Sequence, residues 1–132
     1  MDMIAKEDTL EGKGNILFVD DDENITKVVS LMIIKLGYTC ISFTDSKKAL
    51  KSFEENPDKY DLLITDMTMP GIKGDELADQ ILKIKPDIPV IIFSGYSDKI
   101  SADENTFAYK YLEKPVRMET LGLAIKSCLF KQ

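Results

Sequence analysis

The sequence predicts an α/β protein built as an open, doubly wound sandwich. Three observations carry the prediction. Short, uninterrupted apolar runs at residues 16–19, 62–64 and 90–93 have the character of strands covered on both faces. Between the runs, apolar residues recur at helical spacing. This alternation of strand and helix repeats five times, which implies parallel strands, right-handed crossovers and helices on both faces of one sheet. An eight-fold barrel needs about twice the chain.

Residues 1–14 are polar and close on Gly12-Lys13-Gly14, a flexible lead or linker, so the domain is expected over residues 15–132. The first strand, 16–19, ends in Asp20. Ile25, Val28, Val29, Met32, Ile33 and Leu36 then follow helical spacing, and Gly37 is placed to stop that helix. Residues 39–43 are β-prone. Asp45 can cap a helix carrying Ala49, Leu50 and Phe53, which Pro57 closes. The third strand, 62–65, ends in Asp66, and Met69-Pro70-Gly71 with Gly74 makes a loop. Leu77, Ile81 and Ile84 mark a helix ended by Pro86. The fourth strand, 90–93, runs into Ser94-Gly95, and a fifth, 109–113, precedes Lys114-Pro115. A last helix sets Met118, Leu121, Ile125 and Cys128 on one face. Residues 97–106 are polar and poor in strong helix formers, which predicts a short or mobile fourth helix.

Composition narrows the chemistry. With 17 Lys and Arg against 23 Asp and Glu, the net charge of −6 disfavours nucleic acid as a partner. The longest apolar stretch, 28–34, holds Ser30 and is too short to span a bilayer, and the charged amino terminus is no secretory signal. Cys40 and Cys128 lie in apolar segments without metal-binding spacing, so two buried, reduced thiols suited to the cytoplasm are expected. Histidine is absent altogether. That removes Ser-His and Cys-His nucleophile pairs, histidine zinc sites and any phosphohistidine carried by this chain. Carboxylates, hydroxyls, lysine and a hard metal remain.

In open sheets of this type, chemistry gathers at the carboxyl ends of the strands. There the sequence places Asp20, Asp21 and Asp22 after the first strand, Asp66 after the third, Ser94 after the fourth and Lys114 after the fifth. Each has an ordinary reading. Asp22 and Glu23 suit the start of a helix, where carboxylates offset the dipole by about 0.3–1 kcal/mol each. Asp66 suits a turn, Ser94 a polar strand end and Lys114 a surface charge. Taken together they converge on one small volume. Clustered carboxylates repel unless a cation sits among them, and oxygen-only ligands favour Mg2+ or a similar hard ion. A carboxylate, a metal, a hydroxyl and an ammonium form a phosphoryl-transfer site, with Asp66 attacking to give an acyl phosphate and Lys114 and Ser94 supporting the phosphoryl oxygens.

On these residues the chain resembles the receiver domain of two-component response regulators, over about residues 15–131. The motifs are Val19-Asp20-Asp21, Ile64-Thr65-Asp66-Met67-Thr68-Met69-Pro70-Gly71, Phe93-Ser94-Gly95 and Tyr111-Leu112-Glu113-Lys114-Pro115. The resemblance implies a flavodoxin-like (βα)5 sandwich with a five-stranded parallel sheet in order 2-1-3-4-5. It implies that Asp66 accepts phosphate from a histidine kinase or a histidine phosphotransfer protein. Mg2+ or Mn2+ is expected on Asp21, Asp66 and the carbonyl of Thr68, with Asp20 helping through water. Met67, Thr68, Ser94, Gly95 and Lys114 are expected around the phosphoryl group, Ser94 and Tyr111 as the switch pair, and Lys114-Pro115 as a cis peptide. Thr68 and Tyr96 sit where side chains shield the acyl phosphate from water.

Competing readings are a haloacid-dehalogenase-type phosphatase using Asp20, a flavodoxin-like cofactor binder and a receiver-like interaction module that is never phosphorylated. The acidic first loop would repel a cofactor phosphate, and Glu23-Asn24 stands where the phosphatase carries Gly-Thr. The domain is expected to be no enzyme in itself. It is read either as a stand-alone relay protein or as the receiver of a hybrid sensor kinase, to which Gly74-Asp75-Glu76-Leu77-Ala78 is similar. It would then be cytoplasmic or tethered to a membrane-bound sensor, without membrane contact of its own. A homodimer is expected through the face of the fourth helix, fifth strand and fifth helix.

Overall fold

A computed structural model describes residues 14–95 and 109–130. Its strands are β1 (Asn15–Val19), β2 (Thr39–Phe43), β3 (Leu62–Asp66), β4 (Val90–Ser94) and β5 (Lys110–Glu113). Its helices are α1 (Glu23–Lys35), α2 (Ser46–Glu55), α3 (Gly74–Ile84) and α4 (Met118–Leu129), with a 3-10 turn at Pro57–Lys59. All strands are parallel and form one sheet in the order β2-β1-β3-β4-β5. The expected architecture is the observed one. The predicted fourth helix, Tyr96 and all but the last residue of the expected 1–14 lead fall outside the described residues.

Alternation along the strands builds two cores. Ile16, Phe18, Ile64, Ile91 and Phe93 face α1 and α4, where Val29, Ile33, Leu121 and Ile125 cover them. Leu17, Val19, Leu63, Val90 and Ile92 face α2 and α3, meeting Phe53, Leu77 and Ile81. Strands buried on both faces need no polar alternation, which is why they read as continuous apolar runs. The helix limits are chemical. Asp22 caps α1 and Asp45 caps α2, each carboxylate accepting two backbone N–H groups. Gly37, at φ 101°, follows the end of α1 as predicted.

Four expected burials differ. Val28 is 57% exposed, and Thr26 takes a buried place on α1 in its stead. Thr26 donates from one hydroxyl to the carbonyls of Asp20 (2.9 Å) and Asp22 (2.8 Å), which removes the penalty of burying it. Ile84, in the last turn of α3, is more than a third exposed. Cys40 and Cys128 are half-buried, because each lies at the margin of the α1/α4 core. Among the described residues no helix is long and apolar enough to cross a membrane.

Candidate functional site

The sheet register assembles the site. Val19 lies beside Thr65, so Asp20 follows β1 at the level where Asp66 ends β3. Across the other edge of β3, Asp66 is level with Phe93, and Ser94 pairs with Glu113 directly before Lys114. Between β1 and β3 the chain order reverses, since β2 lies outward on one side and β4 on the other. This is the crevice where open α/β sheets place their chemistry.

Asp20, Asp21 and Asp66 each bring a carboxylate oxygen within 4.8 Å of the others. Asp20 and Asp66 are buried, while Asp21 is exposed and opens the trio to solvent. The Lys114 ammonium meets Asp66 Oδ1 at 2.6 Å. Asp20 Oδ1 accepts the Asp22 N–H at 2.9 Å, but its Oδ2 is buried without a hydrogen-bond partner. Burial pushes the Asp20 carboxyl up to about 6 from 3.8, and the Asp66 and Asp21 charges add to the rise against the pull of the Asp22 N–H and Lys114. A buried, orphaned oxygen within an oxygen-only trio fits a hard divalent cation.

Main-chain contacts fix the surrounding backbone. Met67 N–H donates to Phe93 O (2.9 Å), Lys114 N–H to Ser94 O (2.8 Å) and Gly74 N–H to Met67 O (2.8 Å). Gly74 starts α3 against the backbone of Asp66: a Cβ there would lie 2.1 Å from Asp66 O. No other residue type fits. Lys114-Pro115 is cis, as expected. Ser94 is buried at the end of β4, Thr68 is exposed, and Tyr111 packs edge-on against Tyr109 with ring centroids 6.2 Å apart. The Tyr109 hydroxyl in turn donates to Asp79 on α3.

The structure thus brings Asp20, Asp21, Asp66 and Lys114 into contact range and sets Ser94 at the end of β4 and Met67, Thr68 and Gly95 on the adjoining loops. Asp22 is not part of the group, because its side chain caps α1. That engagement takes away the second aspartate which a phosphatase built on Asp20 and Asp22 requires. Thr26 and Gly74 act on the site's backbone without having been singled out for it from sequence. The signal for Thr26 was available, a hydroxyl four residues past Asp22 on the inner face of a helix.

Comparison with known proteins agrees with this geometry. The sequence model of the response regulator receiver domain matches residues 16–126. The chain belongs to this family. It is 34% identical over 108 residues to the two-component response regulator ARR12 of Arabidopsis thaliana, covering 80% of this chain and 18% of that protein. The chain therefore spans about a fifth of the length of that relative. Among solved structures, a response regulator receiver domain protein from Clostridium thermocellum superposes with a TM-score of 0.81 at 33% identity, covering 88% of this chain and 94% of that one. The receiver domain of the hybrid histidine kinase CckA is also 33% identical, with a TM-score of 0.75, covering 88% of this chain and 99% of that one. The receiver domain described here shares their flavodoxin-like α/β fold, and phospho-acceptance within two-component signalling is the function of its family.

Proposed function

We propose that this receiver domain takes a phosphoryl group onto Asp66 from a phosphohistidine of a kinase or a histidine phosphotransfer protein, and relays a signal by a change of surface. The observation that carries the reading is the Lys114 ammonium 2.6 Å from Asp66 Oδ1, beside the trio of carboxylates. An Asp66 oxygen attacks phosphorus, the P–N bond to the donor breaks, and the imidazole nitrogen keeps the electron pair. Lys114 follows the growing negative charge from the carboxylate to a phosphoryl oxygen. We assign donation to the others to Ser94 and the N–H groups of Thr68 and Gly95; Met67, whose N–H is given to Phe93 O, flanks the phosphoryl group without that donor.

Asp21, Asp66 and the carbonyl of Thr68 would hold Mg2+ or Mn2+, with Asp20 acting through water. When bound, such an ion offsets the repulsion among the carboxylates and the incoming phosphoryl oxygens. Ser94 and Tyr111 form the switch pair, and Thr68 shields the acyl phosphate; Tyr96, assigned the same role, lies outside the described residues. The unit is residues 15–132, not an enzyme in itself, working in the cytoplasm. Its likeness to the CckA receiver supports a place within a hybrid kinase. A homodimer through the face of the fourth helix, fifth strand and fifth helix is part of this reading; residues 97–106 of that face lie outside the described residues.

The test is treatment with acetyl phosphate or a phosphohistidine donor, with and without Mg2+, followed by peptide mapping. Label confined to Asp66, dependent on Mg2+ and lost in Asp66→Asn, is expected. Label on Asp20, or undiminished label in Asp66→Asn, overturns the reading.

A further inference from the structure

The loop 67–73 carries Thr68, so its placement sets one side of the proposed metal site. Its ends are tied through the main chain, by Met67 to Phe93 and by Gly74 to Met67. Its middle is reached from another element: Ile72 N–H donates to the Ser46 hydroxyl at 3.3 Å. Ser46 is the first residue of α2 and is only 4% exposed. Its hydroxyl is not the cap of α2, because Asp45 accepts the N–H groups of Lys47 (2.8 Å) and Lys48 (3.3 Å). A cleft gives a second, independent link, since Ser46 lines it together with Asp21, Met69 and Gly71. The start of α2 therefore stands between the acidic loop after β1 and the loop after β3.

We propose that Ser46 is a positioning residue, whose hydroxyl holds the loop 67–73 at the distance from Asp21 and Asp66 that metal binding requires. The proposal rests on the reading of Asp66 as a Mg2+-dependent phospho-acceptor. Ser46 touches neither the ion nor the phosphoryl group; it acts through Ile72 and the chain that leads back to Thr68.

Calorimetric titration with Mg2+ alone, on the unphosphorylated protein, tests it. Ser46→Ala is expected to weaken Mg2+ binding about threefold to tenfold, the effect of one neutral hydrogen bond, and Ser46→Thr to restore it to within about twofold. Unchanged affinity in Ser46→Ala, or equal loss in Ser46→Ala and Ser46→Thr, overturns the role. If Ser46→Ala does not fold, hydrogen exchange at the Ile72 amide of the unaltered protein decides. Coupling is reciprocal, so Mg2+ must slow that exchange, and an unresponsive amide defeats the proposal. An unaltered protein that neither binds Mg2+ nor takes up phosphate defeats the phospho-acceptor reading and this role together. Normal uptake with an indifferent Ser46→Ala defeats the positioning role alone.

Discussion

Asp20 shows how a single residue can work against the stability of the fold that holds it. Its side chain is buried, one oxygen lacks a partner, and desolvation lifts its carboxyl to about 6 from 3.8. Below about pH 4 both folded and unfolded chains carry it protonated, and no penalty exists. As pH rises from about 4 to about 6 the unfolded chain ionises first, so stability falls across that window and stays lowered above it. The deficit is on the order of 3 kcal/mol. Asp20→Asn removes the charge that must be desolvated. In the presence of chelator at pH 7 it should raise the unfolding free energy by roughly 1–3 kcal/mol and flatten the decline between pH 4 and 6, as read by urea denaturation. The same variant should bind Mg2+ more weakly.

At the scale of elements, the junction of β3 and α3 is decided by a steric contact. Replacing a helical glycine with alanine ordinarily gains about 1 kcal/mol from propensity. At Gly74 the added Cβ would lie 2.1 Å from Asp66 O and 2.9 Å from Met67 Cα, both backbone atoms that cannot swing aside. Overpacking of this kind costs about 1–3 kcal/mol or more, so the clash wins. Gly74→Ala should lower the melting temperature and slow phosphate uptake at Asp66 together, measured by calorimetry and by acetyl phosphate labelling. At the head of α1, Asp22 accepts the N–H groups of Asn24 and Ile25. Asp22→Ala should cost about 0.5–2 kcal/mol in urea denaturation while leaving Asp66 the labelled residue.

For the molecule as a whole, the proposed metal binding at the acidic trio would be coupled to folding. Three carboxylates drawn together by the sheet repel in the folded chain and separate on unfolding, so an ion that bridges them favours the folded state. At a Mg2+ concentration one hundred times the dissociation constant the gain is about 2.7 kcal/mol, enough to raise the melting temperature by roughly 5–10 °C in a domain of this size. EDTA should reverse the rise, and Asp21→Ala should abolish most of it.

Much of this was readable before any coordinates. Three apolar runs, the Asp45 cap and Gly37 mark elements because strand burial, capping and helix arrest are local effects of local residue types. The carboxylates gathered because strands that end together in a parallel sheet deliver whatever follows them to one edge. Packing settled the rest. Helical periodicity names the residues that repeat, but it does not say which flank of the stripe turns inward, so Thr26 rather than Val28 is buried on α1. Nor does spacing tell what stands opposite a residue once distant segments meet. The Ser46 hydroxyl beneath Ile72 and the unpartnered oxygen of Asp20 depend on segments far apart in the chain, and the absence of room for a Cβ at Gly74 depends on how tightly the loop after β3 folds back onto Asp66; only the folded arrangement supplies these.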